Sequence, residues 1–303
     1  MNGTFDQEER NNWQRGLVTF LIILVLLIAL IGNLIVILIV VQTNKLRSQL
    51  SNWFIINLAI SDISNAIVVM STSAVSTALD FREINKIWCK ITCSANYCLM
   101  IASMLTMLFI GLDRYLAIIH ALSYKRFVTK RRVQLVLGFT WFQGLAFSIP
   151  PSLTLDWVEY DYWEAVCAIK WGLPGTAIYV ILACILCFAL PFLLLIFFYC
   201  GILKIVRDNS VSHSYQPGTG REGKQIISLL LVVTLFFVFM APFCITKLLK
   251  VLGYKINGWW STGSSIAEYM ASACNPFIYA IFREDMRKAL QYLWATKVAK
   301  AGY

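Results

Sequence analysis

Seven long stretches of this 303-residue chain carry almost no charged side chain. About 20 consecutive apolar residues cross the ~30 Å hydrocarbon core of a bilayer as a helix, and each stretch is at least that long. The stretches run from Leu17 to Val41, Asn52 to Leu79, Ile91 to Leu112, Val133 to Leu155, Leu173 to Leu203, Gln225 to Thr246 and Ile256 to Phe282. With 59% hydrophobic and 14% charged residues, the chain is too apolar for a soluble domain. We predict an all-α bundle of seven transmembrane helices.

The distribution of basic residues predicts the orientation. With the N-terminus outside, 17 of the 26 Lys and Arg residues face the cytoplasm, which gives a +12 inner face and a neutral outer face. We therefore expect a plasma-membrane protein with an extracellular segment 1–16, a bundle 17–282 and a cytoplasmic tail 283–303. The only glycosylation sequon, at Asn2, agrees with this orientation. The basic face indicates contact with anionic membrane lipid, and we expect no nucleic-acid partner.

Seven of the nine cysteines lie inside the apolar stretches, where a thiol packs as a small hydrophobe. Cys89 and Cys167 lie outside on the oxidising side, where a bridge between them would pin the fourth-to-fifth loop over the bundle. No set of nucleophile, base or metal ligands converges, so an enzyme is not expected. A transporter, kept as a remote alternative, would need repeated halves, and seven stretches without repeats offer none.

Short motifs occur in order along the chain, and together they resemble those of the rhodopsin-like (class A) G-protein-coupled receptors. The resemblance spans nearly the whole sequence and includes the family disulfide, for which Cys89 and Cys167 are the matching pair. The matching residues are Gly32-Asn33, Leu58 to Asp62, Asp113-Arg114-Tyr115, Trp141, Pro191 with Tyr199, Phe236 with Pro242, and Asn275-Pro276-Phe277-Ile278-Tyr279. After Tyr279, apolar residues at 286, 290 and 293 predict a short amphipathic eighth helix along the inner membrane face.

The resemblance implies a receptor that binds an extracellular ligand and activates a heterotrimeric G protein at its cytoplasmic face. The implied switch residues are Asp113, Arg114, Tyr115, Tyr199, Glu222, Asn275, Pro276 and Tyr279. Arg114 would pair with Asp113 and Glu222, although Glu222 could equally be a solvated loop residue. Arrestin recruitment stays open, because Thr296 is the only non-tyrosine hydroxyl of the tail.

An acid within an apolar helix needs polar partners or an ion, because an isolated charge there costs roughly 3 kcal/mol or more. The family supplies an allosteric sodium ion, and we expect no other cofactor. The matching positions here are Asn33, Asp62, Ser103, Ser272 and Asn275. The alternative is a buried hydrogen-bond network without an ion.

Three departures from the family pattern bear on the ligand. Asn96 stands where amine receptors carry an Asp, Tyr269 stands where opsins carry the retinal-linking Lys, and Met240 replaces a tryptophan. We therefore expect a non-opsin receptor without the usual amine site, of an orphan-like subtype. The predicted ligand-binding residues are Asn96, Tyr97, Met100, Cys184, Cys187, Met240, Phe243, Cys244, Lys247, Glu268 and Tyr269.

Glu268 is the unusual member of this set. It could be a counter-ion for a cationic ligand, an extra ion or proton ligand, or a protonated hydrogen-bond donor. Acids and aromatic residues alternate before Cys167 and form either a lid that attracts cations or a solvated loop. The short N-terminal segment favours a small-molecule ligand. A short-peptide-activated or constitutively active receptor of the same fold is the alternative.

Overall fold

Eight helices make up most of the chain in the computed structural model, which describes residues 9–153, 157–170, 172–173, 175–211 and 221–301. The helices are α1 (Asn12–Gln42), α2 (Ser51–Asn65, a π-helical turn Ala66–Met70, and Ser71–Ala78), α3 (Lys86–Ile119), α4 (Lys130–Leu153), α5 (Thr176–Cys184, a π-helical turn Ile185–Ala189, and Leu190–Val211), α6 (Arg221–Val251), α7 (Gly258–Phe282) and α8 (Glu284–Ala301). Helix α1 begins before the boundary predicted at residue 17.

Apolar composition, not length, separates the first six helices from α7. Within the described residues, α1 to α6 each contain a segment apolar enough to cross a membrane. Helix α7 has 25 residues, and its sequence includes four serines and the acid Glu268. Most of its polar side chains are buried against neighbouring helices. The more polar α7 can therefore complete the bundle, because protein surrounds its polar face.

Side-chain caps fix where several helices begin. Asn85 accepts hydrogen bonds from the backbone amides of Ile87 and Trp88 at the start of α3. Asn257 accepts from Trp259 in the same way at the start of α7. These bonds satisfy amides that have no partner within the helix, so both helices begin at defined positions near the outer surface.

Helix α3 lies at the centre, and its neighbours are joined to it by polar side chains as well as by apolar packing. The Asn57 side chain of α2 donates to Thr106 Oγ1 of α3 at 2.8 Å and accepts from Trp141 Nε1 of α4 at 2.9 Å. Asn57 and Thr106 are buried, so this three-helix contact is shielded from exchange with water.

Helices α1 and α7 approach closely at a glycine. A Cβ atom on Gly32 would lie 2.8 Å from Pro276 Cγ, so no larger residue fits without a shift. The neighbouring Asn33 amide donates to the carbonyl of Ser272 at 3.1 Å and to that of Ala29 at 2.9 Å. The small residue allows the contact and the amide fixes its register.

The loop between α4 and α5 contains a feature that the all-α prediction missed. Strands β1 (Val158–Asp161) and β2 (Val166–Ile169) form an antiparallel hairpin, with Tyr160 opposite Cys167. We call residues 158–169 the lid hairpin. A disulfide joins Cys167 to Cys89 at the start of α3, with Cα atoms 5.3 Å apart, as predicted. The hairpin is therefore held across the outer end of the bundle.

Helix α8 follows α7 after a sharp turn at Arg283. The Arg283 guanidinium donates to Asn52 Oδ1 at 2.9 Å and pairs with Asp285 at 2.6 Å. Met286 and Ala289 are buried against the bundle, which gives α8 the apolar face that the sequence predicted. The predicted fold class is thus confirmed, with the lid hairpin added.

Candidate functional site

A largely apolar cavity of about 60 Å³ lies between α3, α4, α5 and α6 beneath the lid hairpin. We call it the large cavity. Its walls include eight of the eleven residues predicted to bind ligand. These are Tyr97, Met100, Cys184, Cys187, Met240, Phe243, Cys244 and Lys247. Lys247 is the only charged residue among the lining residues, so the large cavity would enclose the apolar part of a ligand.

Other wall residues were not predicted from the sequence. Ile169 reaches the large cavity from strand β2, while Phe147 and Tyr179 come from α4 and α5. The Tyr179 hydroxyl donates to the carbonyl of Phe147, which joins α5 to α4 at the wall. Ile169 could have been found from the sequence, because a bridge at Cys167 brings the residues around it over the bundle.

Three predicted ligand residues do not line the large cavity. Tyr269 is fully buried in a cluster with α1 and α2 residues such as Val18 and Ala74, so it faces away from the cavity. Its side chain is turned by about 100° around the helix from that of Glu268, and its predicted role in ligand binding stays untested. Asn96 and Glu268 are buried deeper, beside each other.

Ion pairs attach the lid hairpin to the outer end of α6. The Lys247 ammonium bonds to Glu164, and Lys250 pairs with Asp161 and Glu164 at 2.6 Å each. Burial alone would raise the pKa of the Asp161 carboxyl, but the ammonium groups of Lys250 and Lys247 hold it below its ordinary value. Neither alternative for the lid acids describes this pair, since Asp161 and Glu164 are neutralised by lysines rather than free or solvated.

The end of the N-terminal segment covers the lid hairpin from outside. The Arg10 guanidinium donates to the carbonyl of Trp163 at 2.7 Å and to Thr262 Oγ1 at 2.8 Å. It also lies 5.0 Å from the ring centroids of Tyr162 and Trp163. Only 4% of Arg10 is exposed, so N-terminal segment, hairpin and α7 form one packed outer layer.

A second, smaller cavity of about 10 Å³ lies deeper, between α2, α3, α6 and α7. We call it the small cavity. Its polar lining residues are Asn65, Ser103, Glu268 and Ser272, and its apolar ones are Leu99, Met100, Phe236, Met240 and Ala271. Its volume suits one atom-sized polar group. Met100 and Met240 belong to both cavities, so two methionines separate the small cavity from the large one.

The residues of the predicted sodium site come together next to the small cavity. Asn275 Nδ2 donates to Asp62 Oδ2 at 2.9 Å, and Ser272 lies near the same carboxylate. Asn33 binds the Ser272 carbonyl, and Ser103 lies with Ser272 in the cavity wall. Both the ion site and the ion-free network remain compatible with this arrangement.

At the end of the bundle that is predicted to face the cytoplasm, Arg114 is held by its neighbour. Its guanidinium bonds to Asp113 Oδ2 at 2.6 Å, and the Tyr124 hydroxyl donates to Asp113 Oδ1 at 2.7 Å. Burial and the negative charge of Asp113 raise the pKa of Tyr124 to about 12, so the phenol keeps the proton that it donates. Glu222 belongs to α6, but its side chain lies outside the described residues, so the predicted Arg114–Glu222 pair is untested.

The remaining switch residues pack on the inner half of the bundle. Tyr115 stacks near Phe198 of α5, with ring centroids 5.1 Å apart. Tyr199 and Tyr279 are buried in the main apolar core. The Tyr279 hydroxyl has no hydrogen-bond partner within the described part of the chain. Asn2 lies outside the described residues.

The family profile described as "7 transmembrane receptor (rhodopsin family)" matches residues 32–279. The chain belongs to this receptor family. The receptor is 28% identical over 290 residues to the histamine H2 receptor of Cavia porcellus, which covers 93% of this chain and 80% of that protein. It is 29% identical over 306 residues to melanopsin of Felis catus, covering 95% of this chain and 62% of that longer protein.

Among solved structures, squid rhodopsin shares the fold of the receptor. The TM-score is 0.83 at 22% sequence identity, and the match covers 95% of this chain and 88% of that one. The prediction of a G-protein-coupled receptor rather than an enzyme is confirmed by the family match. Family membership makes the receptor a multi-pass membrane protein with an extracellular ligand and a G-protein partner.

Proposed function

We propose that this receptor lies in the plasma membrane with its N-terminus outside and binds a small molecule in the large cavity. The observation that carries the proposal is the enclosed apolar space beneath the lid hairpin, with Lys247 as its only charged lining residue. Arg10 and the hairpin cover its outer side, which favours a small molecule over a peptide. The basic cytoplasmic face would rest against anionic lipid.

The cytoplasmic switch of this proposal is built around Arg114. Asp113 and Tyr124 hold the guanidinium in place in the described state, and Glu222 would add a partner from α6. Opening these contacts would separate α3 from α6 and expose a groove for a helix of the G protein. Pro242 and Pro276 lie within α6 and α7 and remove backbone hydrogen bonds, so both helices can bend there.

Sodium fits the residues around Asp62 in donor chemistry. The Asn33 Oδ1 atom is buried and has no hydrogen-bond partner among the described residues, which leaves an oxygen available beside Ser272. Asp62, Ser103, Ser272 and Asn275 would supply the remaining oxygens. An ion there would balance the Asp62 charge between α2 and α7.

Nucleotide exchange on G proteins in membranes containing the full chain tests the signalling proposal. A small-molecule library identifies activators, and Arg114→Ala should reduce their stimulation of exchange at least about tenfold, a loss of roughly 1.4 kcal/mol. Lys45→Ala, an exposed cytoplasmic substitution, should leave exchange unchanged. Uptake of a solute without any nucleotide exchange would instead support a transporter.

Filling the large cavity tests where the ligand binds. Ala183 lines the cavity, whereas Ala189 lies on the exposed face of the same helix. Ala183→Leu should weaken activators at least about tenfold because the added side chain occupies their space, while Ala189→Leu should not. Equal effects of the two variants would place the ligand elsewhere.

A further inference from the structure

Glu268 differs from Asp62 in that neither of its carboxylate oxygens accepts a well-formed hydrogen bond, although the Asn96 side chain lies beside it. Glu268 is 2% exposed, and neither carboxylate oxygen has a hydrogen-bond partner among the described side chains and backbone. Lys247 is near enough to act on it electrostatically, but Lys247 is bonded to Glu164. A buried carboxylate that the chain does not satisfy is stabilised by a proton, or by a cation or donor from outside the chain.

The lid ion pairs are balanced without Glu268. Lys247 bonds to Glu164, and Lys250 pairs with both Glu164 and Asp161. Glu268 is thus a third carboxylate beside two lysines whose charges are already matched. Neither Glu268 oxygen accepts a hydrogen bond from either lysine, so the carboxylate can pair with a positive charge on a ligand.

The small cavity offers acceptors in the number that a primary ammonium group needs. An ammonium has three N–H donors. Both Glu268 oxygens and Asn65 Oδ1 are buried without hydrogen-bond partners among the described residues, and both side chains line the small cavity. Three unsatisfied acceptors therefore face a space that holds one atom-sized group.

The apolar part of such a ligand can occupy the large cavity, which adjoins the small cavity. Met100 and Met240 form the partition between the small cavity and the apolar large cavity. Methionine side chains are unbranched and adaptable, so a short alkyl chain can pass between them. We propose that Glu268 is the counter-ion for the ammonium group of a monocationic amine ligand whose apolar part occupies the large cavity.

This inference rests on the proposed small-molecule site and moves the counter-ion from α3 to α7. The test uses the purified full chain in lipid nanodiscs, with potassium as the only inorganic cation. The probes are 4-phenylbutylamine and 4-phenylbutanol, which share a ring and chain and differ in charge. Dissociation constants come from ligand-induced shifts in the apparent melting temperature, which needs no G protein.

Wild type should bind the amine more tightly than the alcohol. Glu268→Gln should weaken amine binding roughly 30-fold or more, since it removes one partner of a buried charge pair, and should leave alcohol binding within about threefold. Glu159→Gln, on the exposed face of the lid hairpin, is the matched control and should change neither. Glu268→Asp keeps the charge and should retain most of the preference for the amine.

A carboxylate introduced beside Glu268 gives a rescue. Asn96 lies beside Glu268, so Asn96→Asp combined with Glu268→Gln should restore amine preference, which a purely structural role for Glu268 would not predict. Equal binding of amine and alcohol to wild type, or unchanged amine binding by Glu268→Gln, would overturn the inference. So would stabilisation by sodium chloride alone that depends on Glu268, because the site would then hold an inorganic cation.

Failure of the receptor proposal gives a different result. Glu268-dependent amine binding without nucleotide exchange would leave this inference standing and remove the signalling role. Nucleotide exchange driven by a neutral ligand, with unchanged potency in Glu268→Gln, would support the signalling role and overturn the inference about Glu268.

Discussion

Asp62 and Glu268 are both 2% exposed within the spanning helices, yet the chain treats the two carboxylates differently. Asp62 accepts a hydrogen bond from Asn275 of a neighbouring helix at 2.9 Å. Glu268 accepts none within geometric limits among the described residues. The Asn275 amide offsets part of the free-energy cost of burying the Asp62 charge. No described residue offsets the cost for Glu268 with a comparable hydrogen bond. Asp62 therefore contributes to the stability of the fold, while Glu268 is available to bind a group from a ligand.

Glu268 has no ammonium group bonded to it because the nearby Lys247 is paired with Glu164. Glu164→Gln should lower the free energy of unfolding by about 3 kcal/mol, because it leaves a buried ammonium group without its bonded partner. Lys247 would then turn to Glu268, so the double variant Glu164→Gln/Glu268→Gln should lose about 1 kcal/mol or more beyond the sum of the single changes. Titration of the purified receptor with SDS measures these free energies.

Glu159→Gln is the exposed control for this double-mutant cycle, and it should be neutral. Additive single changes would show that Lys247 does not reach Glu268 after Glu164 is removed. Glu268 would then differ from Asp62 for a reason other than the competition for Lys247.

The two buried acids should respond to substitution with opposite signs. Asp62→Ala should lower the unfolding free energy by about 1 to 2 kcal/mol, because the Asn275 amide loses its acceptor. Glu268→Gln should raise it by up to about 1 kcal/mol, because a neutral amide replaces an unsatisfied carboxylate and can donate to Asn65. Ser64→Ala, at a partly buried position on α2 whose hydroxyl donates to the Ile60 carbonyl of the same helix, is the control. A loss of stability in Glu268→Gln would mean that attraction to Lys247 outweighs the missing hydrogen bonds.

The sequence predicted Asp62 and its partners better than it predicted the surroundings of Glu268. Long apolar runs and ordered motifs are strong local signals, so the helices, the disulfide and the contact between Asp62 and Asn275 followed from them. The bond between Lys247 and Glu164 joins residues 83 positions apart, and no spacing rule selects that pair. The lid hairpin was missed because its strands have only four residues each, too few for a clear alternation.

The smallest expected effect concerns Asp161, which keeps Lys250 in the lid cluster and is less buried than Glu164. Asp161→Asn should lower the unfolding free energy at pH 7 by about 0.5 to 1 kcal/mol, since partly exposed pairs contribute little. Lys250 would still pair with Glu164, so Lys247 should stay bonded to Glu164 and Glu268 should remain without a partner.

The pH dependence of this effect follows from the lowered pKa of Asp161, whose ordinary value is 3.8. Because the folded pKa lies below the unfolded one, the stabilisation by Asp161 is fully present above the unfolded value and is lost as the pH falls through the folded value. The difference in unfolding free energy between wild type and Asp161→Asn should therefore be constant from about pH 7 to pH 5 and shrink below pH 4. A difference that already shrinks near pH 6 would mean that the lysines do not hold the Asp161 charge. The lid hairpin would then hold Lys247 only weakly, and Glu268 would compete with Glu164 for the Lys247 ammonium group.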